Sequence, residues 1–189
     1  NVKSVKLSIR RFNHVNLAIT EYRTIGYVER DNLYYKLSSS GMTVNYGVED
    51  FDGSYPVFYG FNNNRRLLKD MALQVDSVDR KVRGCISEIH FEPSKVDPER
   101  VHVYMNDGNE VIAQISTFSR KINYYPQYTA KMKFKGIIDL YGATNYMTFN
   151  DWYSKYDWKV ERNVIDFLGS LDNQLLIEVS PITYLKENM

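Results

Sequence analysis

The chain has 189 residues, of which 24 are basic and 23 acidic, and this balance argues against a nucleic-acid or anionic-lipid partner. A chain of this length can bury a sizeable core without a metal or a disulfide, and its single cysteine, Cys85, cannot form an internal disulfide. The 16 tyrosines and 9 phenylalanines favour a β-rich fold, because flat side chains fit a pleated, half-buried surface.

The first part of the chain is rich in strand-like runs. Val2–Ile9 and Val15–Thr20 predict one hairpin. Ile25–Val28 and Leu33–Leu37 flank a polar turn and predict a second one. Residues 38–53 carry many turn-forming side chains, so loops around short strands are expected there.

Two segments have the apolar spacing of helices. Arg65–Val78 predicts a helix with one buried face, which Asn63 or Asn64 can cap. The apolar residues on that face are Leu68, Met71, Ala72 and Val75. Thr117 to about Lys133 predicts a second helix, which Pro126 should kink or restart.

Strand character returns between these helices, in Cys85–Phe91 and Val101–Met105. The residues Asn-Asp-Gly-Asn at 106–109 are the strongest hairpin signal in the chain, because type I′ turns need positive φ at both central residues. With a two-residue loop at Asp107 and Gly108, Val103 would face Ile112.

A last β segment is predicted at Ile137–Phe149, where Gly142 stands at a position typical of a bulge. Together these elements predict an α+β protein, namely a β-rich domain with an antiparallel or mixed sheet and two helices.

The sequence gives little evidence for a cysteine nucleophile or for a metal site. Cys85 and His90 could pair as nucleophile and base, but residues five apart on one strand point to opposite faces. Cys85 shares its face with Ile89, which predicts a buried structural thiol. The histidines His14, His90 and His102 have no metal-ligand spacing.

Acidic residues offer no catalytic site either. The pairs Glu49–Asp50 and Glu88/Glu92 lie among turn and surface-strand signals, so we expect them to be solvated. The run Asp107–Glu110 lacks the spaced carboxylates of a calcium loop, and a hairpin turn explains it. The sequence therefore predicts a non-catalytic binding protein, with no catalytic residue, no cofactor site and no metal site.

Six segments, in this order along the chain, resemble the extracytoplasmic part of the DivIB family of bacterial cell-division proteins, the counterpart of FtsQ. The segments are Ile19–Val28, Pro56–Phe61, Ile86–Ile89, Val103–Asn109, Tyr124–Pro126 and Lys135–Leu140. No single one is diagnostic, but their order over roughly residues 2–149 makes the resemblance specific.

The resemblance implies a domain organisation. Residues 1–21 look like the last hairpin of a POTRA domain, 22–149 look like the family's β domain, and 150–189 form an extension of unassigned role. Because the chain begins at Asn1 within strand-like sequence, we expect it to be a fragment. The resemblance implies a preceding membrane helix, and therefore a place at the outer side of the cell membrane, at the division septum.

The resemblance also implies partners and a site. The family's β domain binds the small coiled-coil division proteins of the DivIC (FtsB) and FtsL type, partly by adding a partner strand to a sheet edge. The matching positions here are Thr144, Asn145, Tyr146, Met147, Thr148 and Phe149. Such an edge offers free N–H and C=O groups. Tyr146 is the preferred anchor, and the alternative is that Tyr146 only packs on its own sheet.

The extension does not match the family. Val160, Val164, Phe167 and Leu168 predict a helix, and Leu175–Val179 predict a strand. One hypothesis is that this strand pairs with the sheet edge in place of a partner strand, so that deletion of residues 150–189 strengthens partner binding. The alternatives are a separate docking element and a linear partner-derived segment.

Three functional classes remain open at the level of sequence. The first is a divisome scaffold that assembles its partners outside the membrane during septum formation. The second is an export or assembly module, in which POTRA-type domains chaperone extended peptides by strand addition. The third is an enzyme of cell-wall metabolism, for which the sequence offers no constellation of residues.

Overall fold

The computed structural model describes residues 2–10, 14–51, 53–141 and 144–155. The chain divides into two units, of which the first ends at Tyr146 and the second begins at Met147.

The described residues form ten strands. The strands are β1 (Val2–Arg10), β2 (His14–Glu21), β3 (Thr24–Arg30), β4 (Leu33–Ser38), β5 (Val57–Tyr59), β6 (Ile86–Phe91), β7 (Arg100–Met105), β8 (Glu110–Gln114), β9 (Gly136–Asp139) and β10 (Asn145–Thr148). The α-helices are α1 (Arg65–Asp76), α2 (Arg80–Arg83), α3 (Phe118–Ile122), α4 (Tyr125–Thr129) and α5 (Phe149–Lys155). A short 3₁₀ turn, Ile115–Thr117, precedes α3.

Eight of these strands form one mixed sheet in the order β10-β9-β8-β7-β6-β5-β3-β4, whereas β1 and β2 form a separate two-stranded sheet. Within the large sheet β3/β4, β6/β7 and β7/β8 are antiparallel. The pairs β3/β5, β5/β6 and β8/β9 are parallel. The α+β prediction with a mixed sheet is therefore confirmed.

The core lies between one face of the large sheet and α1, which buries the apolar stripe predicted for it. Met71, Ala72 and Val75 are fully buried, and so are Ile89 and Val103 from the middle of the sheet. The helix begins as predicted, because the backbone N–H of Leu67 donates to the side chain of Asn64 at 3.2 Å.

The first hairpin, β1/β2, is present as predicted and carries one apolar face. Leu7 is paired with Leu17, and the neighbouring pairs on the same face are also apolar. The side chains on this face are Val5, Leu7, Ile9, Val15, Leu17 and Ile19, and all of them are exposed. That the hairpin belongs to a POTRA domain stays a prediction.

The turn between β3 and β4 is shorter than the four polar residues, 29–32, that separate the predicted strands. Arg30 and Leu33 are paired, so only Asp31 and Asn32 form the loop. Both have positive φ, of 51° and 61°. Asn and Asp tolerate this region better than most residues, which is why the sequence supports a two-residue hairpin here.

The register predicted for the β7/β8 hairpin was wrong by one residue. Val103 faces Val111, not Ile112. In this turn only Gly108 has positive φ, and its N–H donates to the carbonyl of Met105 at 2.9 Å. A type I turn closed by a glycine at the bulge position needs a single residue with positive φ, and it makes the loop three residues long instead of two.

The second predicted helix is divided and shorter. The 3₁₀ turn leads into α3, the chain then restarts at Tyr125 with Pro126 in the first turn of α4, and α4 ends at Thr129 rather than near Lys133. A proline is tolerated in the first turn, where its missing N–H has no partner to lose. With α2 and α5 added, the described helices exceed the two that were predicted.

The last predicted β segment contains two strands, β9 and β10. Gly142 and the predictions for residues 156–189 lie outside the described residues. Of the six predicted partner-binding residues, Asn145 to Thr148 are in β10, whereas Thr144 precedes the strand. Phe149 begins α5, which corrects its assignment to an edge strand.

Candidate partner-binding edge

The large sheet has two ends, and the end at β4 is occupied by the chain itself. The N–H of Tyr34 donates to the carbonyl of Val48 at 2.9 Å, and the N–H of Val48 returns a bond to Tyr34 at 3.0 Å. The N–H of Val44 donates to the carbonyl of Lys36 at 3.0 Å. Residues 44–48 thus use main-chain groups that an added strand would need.

The other end is β10, and within the described residues this strand has a neighbour, β9, on one side only. Asn145 and Tyr146 are exposed, and Met147 and Thr148 are half-buried. Thr144 lies just before the strand, where its hydroxyl donates to the hydroxyl of Tyr128 at 3.4 Å. The structure therefore places four of the six predicted site residues on a terminal strand.

Tyr146 is neither a free side chain nor a core residue. Its side chain is 37% exposed, while its hydroxyl donates to the carbonyl of Phe134 at 2.8 Å. The bond orients the ring beside the loop that precedes β9. A ring held in one orientation with part of its surface in water can contact a partner without a large loss of side-chain entropy.

Thr148 marks the end of the edge strand. Its hydroxyl accepts a hydrogen bond from the N–H of Asp151 at 3.2 Å and donates to the carboxylate of Asp151 at 2.7 Å. This is the pattern of a helix N-cap, in which a side-chain oxygen satisfies a free N–H of the first turn. The candidate edge is consequently short, from Asn145 to Thr148.

The segment between β9 and β10 is tied to the loop between β6 and β7. The Tyr141 hydroxyl donates to the carboxylate of Asp97, and the N–H of Tyr141 donates to Asp139 at 2.8 Å. Asp97 is buried, and it also accepts from the N–H of Glu99 at 2.9 Å. Burial and the bond to Asp97 raise the pKa of Tyr141, so its hydroxyl stays a donor.

The β7/β8 turn fixes the start of β9. Asn109, which is buried, accepts a hydrogen bond from the N–H of Gly136 at 3.1 Å. Asp107 accepts from the N–H of Asn109 at 3.0 Å and from the hydroxyl of Tyr125 on α4 at 2.8 Å. Burial would raise the pKa of Asp107, but these bonds outweigh it and lower the pKa. The turn was predicted, but its role in positioning β9 was not.

A charged cluster occupies the middle strands of the sheet. The imidazole of His102 lies 2.7 Å from Glu110 and 3.6 Å from Glu92, and Arg100 is 3.8 Å from Glu92. Burial disfavours the imidazolium, but the hydrogen bonds to Glu110 and Glu92 outweigh it and raise the pKa of His102 to about 9. His102 is therefore a cation with carboxylates on two sides.

Glu88 on β6 and Glu92 just after it are not simply solvated, which corrects their prediction. Glu88 lies 2.6 Å from the imidazole of His90, and the ring of His90 stacks on Tyr59 with centroids 4.6 Å apart. Glu92 is half-buried beside His102. The register places His90 opposite His102, so these residues share one face of the sheet.

Cys85 and His90 are not brought together as a nucleophile and base. The Cys85 thiol donates to the carbonyl of Lys81 at 3.3 Å, whereas His90 is paired with Glu88. Cys85 lies before β6 and packs against the core, but it is only partly buried, so the predicted buried structural thiol is confirmed in its packing and not in its full burial.

Two features are absent from residues 2–10, 14–51, 53–141 and 144–155, namely a metal-site cluster and a membrane-spanning helix. There, no group of three or more His, Cys, Asp and Glu side chains has the arrangement of a metal site. Likewise, none of the helices in these ranges has the length and apolar character needed to cross a bilayer.

Comparison with known proteins gives a consistent result. Residues 26–141 match the family model described as "Cell division protein FtsQ/DivIB, C-terminal". The cell division protein DivIB of Ligilactobacillus salivarius is 46% identical over 139 residues, which cover 74% of this chain and 48% of that protein. DivIB of Bacillus subtilis is 35% identical over 150 residues, covering 78% of this chain and 56% of that protein. The chain thus spans about half the length of these relatives.

A solved structure agrees with the sequence comparisons. The major extracytoplasmic domain of DivIB from Geobacillus stearothermophilus superimposes with a TM-score of 0.54 at 33% sequence identity, covering 59% of this chain and 93% of that domain. The resemblance found in the sequence is confirmed, and the chain belongs to the FtsQ/DivIB family of cell-division proteins.

Proposed function

We propose that this chain is a non-catalytic scaffold of the division machinery, which binds small coiled-coil proteins of the DivIC/FtsB and FtsL type outside the membrane. The binding mode is addition of a partner strand to β10. A preceding segment, outside this chain, anchors the protein in the cell membrane at the septum. Family membership supports the division role, and the strand order supports the binding mode.

One observation carries the binding mode, namely the difference between the two ends of the sheet. At β4 the main-chain groups are paired with residues 44–48. At β10 the described residues leave one side of the strand without a neighbour. Unpaired N–H and C=O groups on a strand are a template for another chain, and the side chains of alternate positions supply specificity.

Proline substitution tests whether the backbone of β10 is used. Neighbouring residues of a strand direct their N–H groups to opposite sides, so Asn145→Pro and Tyr146→Pro remove donors from opposite sides of β10. One of them should lower binding of the extracytoplasmic segment of a DivIC-type protein at least tenfold without changing the Tm. If the variant with an unchanged Tm binds as the wild type does, strand addition at β10 is wrong.

A second candidate is a chaperone module for extended peptides, and the exposed hairpin β1/β2 favours it. Its apolar face lies open, and each of its strands is paired on one side among the described residues. Affinity capture from a cell-envelope extract separates the two functions. A scaffold retains a defined coiled-coil partner in a fixed ratio, whereas a chaperone retains many unrelated unfolded polypeptides.

A further inference from the structure

Basic residues are concentrated in one segment of an otherwise balanced chain. Between Glu110 and Asp139 the sequence has no acidic residue. The cations of this basic segment, residues 111–138, are Arg120, Lys121, Lys131, Lys133 and Lys135. Since the whole chain has 24 basic and 23 acidic residues, the remainder carries 19 basic against 23 acidic. The near-zero net charge of the whole chain therefore coexists with a basic segment.

The fold brings the end of this segment beside β10. Tyr146 of β10 donates its hydroxyl hydrogen bond to Phe134, which stands between Lys133 and Lys135. Lys121 donates to the carbonyl of Leu140 just after β9. Basic residues therefore flank the backbone group that holds the ring of Tyr146.

The lysines of the loop between α4 and β9, residues 130–135, differ in their partners. Lys135 lies 3.7 Å from the carboxylate of Asp107. Lys131 and Lys133 are exposed, and neither side chain makes an ion pair or hydrogen bond to another described residue. Two cations are thus available for carboxylates that come from outside the described part of the chain.

Aromatic surface accompanies the two lysines. Phe134 is 71% exposed and Tyr124 is 50% exposed. Tyr124 and Tyr128 lie with ring centroids 6.5 Å apart, and Tyr128 is bonded to Thr144 before β10. Exposed aromatic rings beside cations are typical of a binding surface rather than of a solvated loop.

The loop is also held in place before any partner arrives. Met132, between the two lysines, packs against the core. At the end of the loop the N–H of Gly136 is bonded to the buried Asn109. Such anchoring reduces the ordering cost of binding.

We infer that Lys131 and Lys133 bind an acidic segment of the partner that lies next to the strand added to β10, and that Phe134, which follows Lys133, supplies an apolar contact to that segment. The inference rests on the proposed function and adds the chemistry of the partner: a strand flanked by Asp and Glu. Exposed charges of this kind set the association rate and the salt dependence, and they contribute moderately to affinity.

The test uses the full chain and the extracytoplasmic segment of a DivIC-type protein as the probe. Lys131→Gln/Lys133→Gln should weaken binding about three- to tenfold and should flatten the dependence of affinity on NaCl concentration. The matched control is Lys36→Gln/Lys81→Gln, which removes two exposed lysines on β4 and α2 and should leave binding unchanged.

The outcomes separate this inference from the proposed function. If the proline variant of β10 with an unchanged Tm lowers binding at least tenfold while Lys131→Gln/Lys133→Gln binds as the wild type does, the inference is wrong and the strand addition stands. If the wild type does not bind the probe, both are wrong. Stronger binding by the lysine variant would mean that residues 156–189 of the chain itself occupy the site, which also contradicts the inference.

A competition experiment identifies the class of ligand. A hexaglutamate peptide should displace the partner from the wild type more effectively than from the lysine variant. Inorganic polyphosphate of the same total charge should be a poorer competitor, because a carboxylate-bearing strand also uses Phe134 and the backbone. If polyphosphate competes equally well, the surface is a general anion site and not a site for an acidic partner segment.

Discussion

His102 is a buried cation whose charge depends on two carboxylates. Because the pKa of His102 is raised from 6.5 to about 9, the stabilisation is complete below about pH 6.5 and is lost as the pH rises through 9. We expect the free energy of unfolding to fall by on the order of 1–3 kcal/mol between pH 6 and pH 9.5. Urea denaturation at a series of pH values measures this change.

The control for His102 is Glu110→Gln, which removes the nearer carboxylate, 2.7 Å from the imidazole. Titration of the histidine ring protons by NMR should then show a lower pKa for His102. An unchanged pKa in this variant would mean that Glu110 does not stabilise the imidazolium.

Two substitutions of Tyr146 separate the contribution of its ring to partner binding from that of its hydroxyl. Tyr146→Phe loses only the bond to the Phe134 carbonyl, and we expect affinity for a DivIC-type segment to change less than about threefold. Tyr146→Ala loses the exposed ring and should weaken binding about tenfold or more. Biolayer interferometry on both variants tests this, and equal affinities for Tyr146→Ala and wild type would exclude the ring as an anchor.

The hydrogen-bonding roles of single residues were predictable where their partners are close in the sequence. Asn64 caps α1 because an Asn placed before an apolar periodic segment bonds an N–H three residues on. Asn109 bonds Gly136 and Tyr141 bonds Asp97, and those partners are 27 and 44 positions away. No local pattern indicates such pairs, so their roles follow only from the fold.

Asn109 connects the β7/β8 turn to the start of strand β9. Asn109→Ala removes the side-chain oxygen that accepts the buried N–H of Gly136. The loss of this hydrogen bond should lower the free energy of unfolding by about 1–3 kcal/mol. The comparison is Asn106→Ala, which removes an exposed bond to the Gly84 carbonyl in the same turn and should cost less than about 1 kcal/mol. Urea denaturation measures both, and equal losses would argue against the connection to β9.

The hairpins and α1 were predictable because alternation and helical spacing are local signals. Turn geometry was less predictable. The β7/β8 turn closes with positive φ at Gly108 alone, although its sequence suits a two-residue loop as well. The parallel neighbours of β5 were not predictable either. Val57 to Tyr59 pair with β6, about thirty residues later, and a crossover of that length leaves no local pattern.

For the whole molecule, the two sheets should differ in stability. The hairpin β1/β2 is two-stranded and its apolar face is exposed, whereas β6, β7 and β8 are covered by the core. An isolated two-stranded hairpin is marginally stable. In the free chain we expect amides of β1 and β2 to exchange with solvent at least a hundredfold faster than those of β7, as measured by hydrogen exchange with mass spectrometry. Equal protection would show that the hairpin is covered.

The candidate site depends on the whole sheet more than on any motif. The sequence placed the binding residues at Thr144–Phe149 by resemblance, and the structure narrows the strand to Asn145–Thr148. The two ends of the sheet differ because β4 is paired with residues 44–48, whereas β10 has a neighbour on one side only among the described residues. Strand order depends on contacts along the entire chain, so composition and spacing alone do not reveal which edge is open.

Hydrogen exchange of β10 measures the central claim most directly. The amides of Asn145–Thr148 are followed in the free chain and with a saturating extracytoplasmic segment of a DivIC-type protein, with the covered strand β4 as the internal reference. We expect the partner to slow exchange in β10 by at least tenfold and to leave β4 unchanged. Saturating partner without any slowing in β10 would contradict strand addition at this edge.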